Sequence, residues 1–405
     1  MHDLALPPRA ASIGDGAFNG CISLERVAIP EGVETLGQVR WDRDEEEDDD
    51  GGLDFEDTAT RVFGGCLALK EAKLPSTLRK IDPRAFAGCL ALEKIEVAAG
   101  SPFVFADGWL TADSGRKIVF RTPAGGHPEF PPGAAEMGEY AFSARDGGAD
   151  WSVAIPEGVT AIAPRAFKGC GSLVGVVLPA ALREIGEEAF AECGRLTAIR
   201  LPASLERLGA RAFSHCGALG TVDIPEGVTH IPDACFRRCE AMSSVRLPRG
   251  LAKIGASAFS STGLEDIDLP EGLGSIGDHA FGNCSRLSSA AIPEGVKAVD
   301  GFDGCTALSR VLLHAETEAI LAYAFEGCTA LEEIALPEGL KSIGTSAFAG
   351  SGLKTVTIPS TVESIGHRAF AECTDLELAL LPAGLTASRA VQFWRCAKLA
   401  EITRY

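Results

Sequence analysis

Long apolar segments are missing from this sequence. No run approaches the roughly 20 residues that a membrane-spanning helix needs. The first residues, from Met1 to Leu4, show no basic segment followed by an apolar one. We therefore expect a soluble chain without membrane insertion and, on the sequence as given, a cytoplasmic one. An extracellular or cell-surface location is the alternative if a signal precedes Met1.

Positive charge is also scarce. The chain has 37 Lys and Arg against 56 Asp and Glu, a formal net charge of −19, and no block of basic residues. Because phosphate groups bind to clustered Lys and Arg, we expect no nucleic-acid partner and no anionic membrane surface. Aromatic residues make up only 7%, whereas 46 glycines and 22 prolines suit short strands separated by turns.

Motifs of common enzymes are absent as well. The sequence has no G-x-x-x-x-G-K-[ST] phosphate loop, no G-x-S-x-G elbow and no H-E-x-x-H helix, and its 7 histidines share no register. It also lacks a Cys-x-x-Cys pair of the kind that binds zinc. We therefore expect no catalytic residues, no metal and no other cofactor.

What the sequence does contain is one dominant internal repeat. A phenylalanine, usually preceded by alanine, recurs mostly every 21 to 25 residues, and most often every 23. These phenylalanines are Phe18, Phe63, Phe86, Phe142, Phe167, Phe190, Phe213, Phe236, Phe259, Phe281, Phe302, Phe325, Phe348, Phe370 and Phe393. Such regularity predicts a repeat architecture.

Each repeat predicts one turn of a solenoid. Ile199 and Leu201 alternate with Arg200, as in a strand with one buried face, and the proline that follows ends the strand. A second apolar pair and a glycine then turn the chain, and the pair Ala212 and Phe213 points inward. Only stacked copies can bury these apolar side chains, and stacking aligns their strands into a parallel sheet.

The block I-G-x-x-A-F-x-x-C-x-x-L resembles the BspA-like leucine-rich repeat family over nearly the whole chain. The resemblance implies an α/β-class repeat solenoid, a leucine-rich-repeat horseshoe or right-handed superhelix with one long parallel β-sheet and little regular α-helix. Residues 1–405 then form a single solenoid of about 15 repeats. Proteins of this family generally act in adhesion, surface recognition or protein binding.

Two segments interrupt the repeat. Residues 101–123 contain two apolar stretches around a Ser-Gly turn and predict an inserted β-hairpin. Residues 38–60 form an acidic insertion, with 11 Asp and Glu against one Arg between Trp41 and Ala59. Such a segment buries too little apolar surface to offset the entropy lost on ordering, so it predicts disorder. A partner-binding loop is the alternative there. Calcium is disfavoured because the acidic residues lack EF-hand spacing.

Twelve of the 13 cysteines follow a repeat phenylalanine by three residues. They are Cys21, Cys66, Cys89, Cys170, Cys193, Cys216, Cys239, Cys284, Cys305, Cys328, Cys373 and Cys396. Small thiols in register on parallel turns are poorly aimed for disulfides and pack like small hydrophobic groups. We therefore expect a ladder of reduced, structural cysteines, which Cys235 joins in place of an alanine.

Candidate binding residues lie at outward strand positions, which the core pattern leaves free. They are Arg200, Asp223, Arg246, Asp268, Arg310, Leu312, Leu378 and Leu380. The first four alternate in sign, which predicts either a self-neutralising ladder or a polar recognition stripe. The leucines gain nothing from exposure in a monomer, so they indicate either a contact surface or mutual covering by neighbouring repeats.

The sequence thus predicts a non-enzymatic scaffold that binds a protein with the concave face of its repeats. A secreted or cell-surface, adhesin-like recognition protein is the alternative, and a purely structural module is a third possibility. Both chain ends resemble incomplete repeats without polar caps, which predicts possible end-to-end self-association.

Overall fold

A computed structural model describes residues 3–8, 10–37, 61–123, 129–142, 149–400 and 402–405. The predicted acidic insertion, residues 38–60, lies outside these ranges. The predicted leucine-rich-repeat solenoid is confirmed: the described residues form a β-solenoid. Their helices are two short 3-10 segments, η1 (Pro83–Phe86) and η2 (Asp113–Gly115). The chain divides into two compact units, Met1–Leu182 and Arg183–Tyr405.

Most repeats contribute two short strands. The strand that precedes the repeat proline pairs in parallel with its counterpart in the next repeat, and these strands form the first ladder. A second strand of two residues ends at the apolar residue before the repeat glycine, and these strands form the second ladder. Parallel pairing is therefore as predicted, but it is divided between two ladders with short interruptions.

The strand bounds follow the repeat. In Met1–Leu182 the first ladder has β1 (Asp3–Ala5), β3 (Arg26–Ala28), β5 (Glu71–Leu74), β7 (Lys94–Val97), β12 (Trp151–Ala154) and β14 (Leu173–Val177). Its second ladder has β2 (Ser12–Ile13), β4 (Thr35–Leu36), β6 (Lys80–Ile81), β11 (Glu136–Met137) and β13 (Ala161–Ile162). Three further strands, β8 (Val104–Ala106), β9 (Trp109–Ala112) and β10 (Lys117–Arg121), belong to the inserted segment.

The unit Arg183–Tyr405 repeats the same pattern. Its first ladder has β16 (Ala198–Ile199), β18 (Val222–Asp223), β20 (Val245–Arg246), β23 (Ser289–Ala291), β25 (Arg310–Leu312), β28 (Thr355–Thr357), β30 (Leu378–Leu381) and β31 (Ile402–Arg404). Its second ladder has β15 (Glu184–Ile185), β17 (Arg207–Leu208), β19 (His230–Ile231), β21 (Lys253–Ile254), β22 (Ser275–Ile276), β24 (Ala298–Val299), β26 (Ala319–Ile320), β27 (Ser342–Ile343) and β29 (Ser364–Ile365).

The inserted segment 101–123 contains three strands where a two-stranded hairpin is predicted. Strands β8 and β9 pair antiparallel, as do β9 and β10, and β10 then pairs in parallel with β11 of the second ladder. Phe120 is buried, and its ring lies 5.5 Å from that of Phe86. Phe120 therefore takes the place of a repeat phenylalanine, which makes the insertion a modified turn of the solenoid.

The core of Arg183–Tyr405 is a stack of phenylalanine rings. From Phe190 to Phe393, successive ring centroids lie 5.1 to 5.7 Å apart, and their planes differ by 3° to 14°. All of these rings are fully buried. The regular spacing of phenylalanine in the sequence therefore produces a continuous core, in which each ring packs on those of the neighbouring turns.

The cysteines line the same turns. Cys216 and Cys239 are buried, and each Sγ donates to the carbonyl oxygen of the phenylalanine one repeat earlier, at 3.1 and 3.2 Å. Burial raises the pKa of Cys239 to about 12 and that of Cys216 well above the usual range. All 13 thiols are free. The buried cysteines thus join adjacent turns by hydrogen bonds in addition to packing, whereas Cys21, which is predicted to belong to the same ladder, is exposed in the first repeat.

The repeat glycine allows neighbouring turns to approach closely. A Cβ on Gly209 would lie 2.2 Å from the backbone nitrogen of Glu187 in the preceding turn. The same contact region contains the hydrogen bond from the N–H of Gly209 to the carbonyl of Ile185, at 2.8 Å. Main chain therefore packs directly on main chain at this point, and a side chain has no room there.

Candidate functional site

All eight predicted binding residues lie on one side of the first ladder in Arg183–Tyr405, which we call the first-ladder face. The exposed residues among them are Arg200, Asp223, Arg246, Asp268, Arg310, Leu312 and Leu378, and Leu380 is half-buried. The in-register pairing of successive repeats explains this placement. Equivalent residues stack into columns along the ladder, so the repeat frame assigns each side chain to the face or to the core.

The alternating charges form one ion pair. Arg246 Nε lies 3.7 Å from Asp223 Oδ1, and both side chains are at least 70% exposed. Beside them the hydroxyls of Thr221 and Ser244 are 3.1 Å apart. In the described part of the chain, Arg200 and Asp268 have no ion-pair partner. Because exposed pairs contribute about 0 to 1 kcal/mol, this group stabilises the fold only slightly.

Leu312 and Leu380 belong to a stretch of one column that carries no charge. It consists of Ala291, Leu312, Ala335, Thr357 and Leu380, and we call it the neutral strip. Ala291 pairs with Leu312, and Thr357 pairs with Leu380. The neighbouring column on the same face includes Arg310 and Leu378.

The structure does not bring the two leucines of the neutral strip into contact. Leu312 and Leu380 are three repeats apart, about 14 Å at the usual strand spacing. Leu312 is 49% exposed. The predicted alternative of mutual covering therefore does not apply to Leu312, whose neighbours in the column are alanines. Leu380 is half-buried next to Thr357 and Thr403.

A second apolar group was missed by sequence reasoning. Ile22, Leu67 and Leu90 are 62%, 51% and 46% exposed. Each directly follows a repeat cysteine, and they belong to three consecutive repeats of Met1–Leu182. Most other repeats have glycine, serine, threonine, alanine or glutamate at this position. The signal in the sequence is the apolar residue directly after the repeat cysteine, a position outside the strands.

A histidine and several carboxylates gather where the repeat is shortened to 21 residues, between Phe281 and Phe302. His279 Nδ1 lies 2.7 Å from Asp303 Oδ1. Burial opposes a charge on His279, but this bond and the nearby carboxylates raise its pKa. Asp300 is 8% exposed, and burial raises its pKa to about 6. No group of three or more metal-ligating side chains occurs among the residues that the structure describes.

The described residues also contain no helix that is long and apolar enough to cross a membrane.

Comparison with known families gives matches along most of the chain. The family model described as a BspA type leucine-rich repeat region matches residues 1–100, 135–255, 209–301 and 300–404. No curated protein matches the chain.

Solved structures give the same fold. A leucine-rich cell surface protein of Faecalibacterium prausnitzii is 27% identical, with a TM-score of 0.53 over 76% of this chain and 96% of that one. A leucine-rich repeat protein of Bacteroides ovatus is 24% identical, with a TM-score of 0.53 over 100% of this chain and 92% of its own. The pneumococcal vaccine antigen PcpA is 21% identical, with a TM-score of 0.50 over 75% and 84%.

Proposed function

Because this chain belongs to the BspA-type leucine-rich repeat family, we propose that it is a non-enzymatic scaffold that binds another protein with its first-ladder face. The observation that carries the proposal is the neutral strip, in which exposed Leu312 stands on a sheet face between small side chains. Covering an exposed leucine with a partner protein lowers the free energy, and no charged side chain stands within the neutral strip itself. Leucine-rich repeat proteins generally bind proteins.

The charged residues of the face provide the polar rim that protein interfaces have around an apolar centre. Arg310 stands beside the neutral strip, and Arg200, Asp223, Arg246 and Asp268 lie in earlier repeats of the face. Because these side chains are exposed, we expect them to influence partner choice and association rate more than affinity. Leu312, Leu378 and Leu380 are expected to supply most of the apolar contact area.

A second candidate is adhesin-like recognition at a cell surface. The similarity to a Faecalibacterium prausnitzii protein described as a leucine-rich cell surface protein supports it. The 13 free thiols support a reducing compartment instead, because oxidising compartments favour disulfides. Fractionation of the native source, with the protein detected by antibody in cytosol, envelope and medium, distinguishes the two.

The test of the binding face is affinity capture from the native source followed by measurement of the dissociation constant with the purified partner. A Leu312→Glu, Leu380→Glu variant is compared with a Leu321→Glu, Val391→Glu control. The control residues are both 39% exposed in the same unit but outside the first-ladder face. The control equalises the added charge.

We expect wild type and control to retain the partner and the face variant to lose it, provided that all three unfold at the same temperature. Equal affinity of the face variant and the control contradicts a role for the neutral strip.

End-to-end self-association stays a prediction. Sedimentation velocity over a hundredfold range of protein concentration tests it, since association through the ends would raise the average mass with concentration.

A further inference from the structure

Positive charge is concentrated in one part of this acidic chain. Residues 200–253 carry eight Lys and Arg against five Asp and Glu, although the whole chain has a net charge of −19. Four basic side chains of this segment lie on the turns that contain the repeat phenylalanines. They are Arg211, His215, Arg237 and Arg238, and we call them the arginine patch.

Backbone hydrogen bonds place these residues on adjacent turns. The N–H of His215 donates to the carbonyl of Arg237 at 2.8 Å, and the N–H of Arg211 donates to the carbonyl of Asp233 at 2.9 Å. Arg211, His215 and Arg238 adopt left-handed backbone conformations, with φ of 55°, 61° and 58°. Their side chains are exposed, and Arg237 is half-buried.

The charges of the patch act on one another. The pKa of His215 is lowered by burial and by the guanidinium groups of Arg238 and Arg237, while Glu240 opposes this effect. Like charges at such proximity disfavour the folded state unless another group compensates them.

Carboxylate partners are absent from the patch in the described residues: neither Arg211 nor Arg237 nor Arg238 forms an ion pair there. Some other arginines of the same unit do. Arg183 contacts Glu206 at 2.7 Å, and Arg395 contacts Glu372 at 3.3 Å. The three guanidinium groups of the patch therefore form no ion pair with carboxylates of the described residues, although Glu240 lies near enough to act on His215.

The repeat does not require arginine at these positions. Serines follow Phe259 at both positions where Arg237 and Arg238 follow Phe236, and a serine also directly follows Phe213. Other turns of the same solenoid have small or acidic residues at these positions, such as Ser260 and Glu192, so the repeat itself does not require basic side chains there. An external anion is the group that would compensate them.

We propose that the arginine patch binds an acidic peptide segment of a partner protein. Guanidinium groups bind carboxylates and phosphorylated side chains through charge-assisted, often bidentate hydrogen bonds. Adjacent turns present such groups at intervals of about 5 Å, which suits successive anionic side chains of a short peptide. A long polyanion such as nucleic acid would in addition face the repulsion of the acidic remainder of the chain. This site is separate from the first-ladder face and does not depend on it.

The test uses the full chain and a fluorescent hexaglutamate peptide, with hexaglutamine as the neutral probe. An Arg237→Gln, Arg238→Gln variant is compared with an Arg249→Gln, Lys253→Gln control. The control removes the same charge from the same unit. Among the described residues, Arg249 and Lys253 form no ion pair. Equal unfolding temperatures establish that both variants fold.

We expect wild type and control to bind hexaglutamate with similar affinity, and the patch variant to bind it about tenfold or more weakly. Bound carboxylates should also raise the pKa of His215, measured by NMR, because they offset the guanidinium charges.

If both variants bound hexaglutamate equally weakly, the loss of affinity would be due to net charge alone, and the proposal would be overturned. Equal binding of hexaglutamine would overturn it too, as would an unchanged His215 titration at saturation. Tighter binding of a single-stranded oligonucleotide that depends on the same arginines would replace the peptide with nucleic acid.

Discussion

Replacing Gly209 with alanine tests whether close backbone packing explains the repeat glycine. The added Cβ would lie 2.2 Å from Glu187 N, 2.4 Å from Gly186 C and 2.6 Å from Glu187 Cα. All three atoms belong to the main chain, so no side chain can rotate away. Ordinary contact distances require the two turns to separate locally by about 1 Å.

The expected loss follows from two effects. Overpacking of this kind costs about 1 to 3 kcal/mol, and separation weakens the hydrogen bond between Gly209 N–H and the Ile185 carbonyl, which adds about 1 kcal/mol. We therefore expect Gly209→Ala to lower the free energy of unfolding by about 3 kcal/mol.

Gly217→Ala is the matched control. A Cβ there would meet nothing within 4 Å, and the residue does not adopt a left-handed conformation. Because alanine reduces the freedom of the unfolded chain, this variant should be neutral or more stable by up to about 1 kcal/mol. Urea unfolding followed by circular dichroism measures both. If the two variants differ by less than 1 kcal/mol, the packing explanation of the glycine is wrong.

Four further predictions concern the buried carboxyl group, the thiols, the phenylalanine core and the ion pair of the first-ladder face. Burial raises the pKa of Asp300 to about 6, so the folded state favours the protonated carboxyl group. The protonated group stabilises the folded state at low pH, and this stabilisation is lost as the pH rises from about 4 through 6. The stability of Asp300→Asn relative to wild type should therefore increase by about 1 to 3 kcal/mol between pH 4 and pH 7. A stability difference in urea unfolding that does not change with pH would refute this. Alkylation of the native protein should label the exposed Cys21 and spare the twelve buried cysteines. Mass spectrometry identifies the labelled residues, and rapid labelling of several thiols would contradict the buried ladder. Phe236→Ala should cost about 3 to 5 kcal/mol because its ring stacks on both neighbours, and Phe236→Leu should cost less; equal losses in chemical unfolding would argue against the stack. A double-mutant cycle on Asp223 and Arg246 should give a coupling below about 1 kcal/mol, and a larger value would mean that the pair is not solvent-screened.

Local spacing was sufficient to predict the solenoid and its core. The interval of 23 residues and the Ile-Gly-x-x-Ala-Phe-x-x-Cys block determine which side chains are buried, since a coiled path of this period places the repeat phenylalanines and cysteines inside, apart from exposed Cys21 in the first repeat. The same frame placed Leu312 and Arg246 outside, where the structure has them.

Shortened repeats and short strands were harder to recognise. Phe120 lies 22 residues before Phe142, which fits the period. It is hard to recognise as a repeat phenylalanine because it follows the apolar Ile118 by two residues, whereas in a regular repeat this spacing is five. The second ladder was missed because a strand of two residues is too short to show alternation.

Contacts between repeats were decided by the tertiary structure. Whether the alternating charges pair depends on side-chain reach across turns, and only Asp223 and Arg246 meet. The sequence shows no basic block because His215 is separated by 22 residues from Arg237, yet the backbone bond between them places both on one edge. The sequence by itself therefore determined the path of each turn through local patterns of burial. Stacking decided the surfaces, because it brings side chains from different turns within reach of one another.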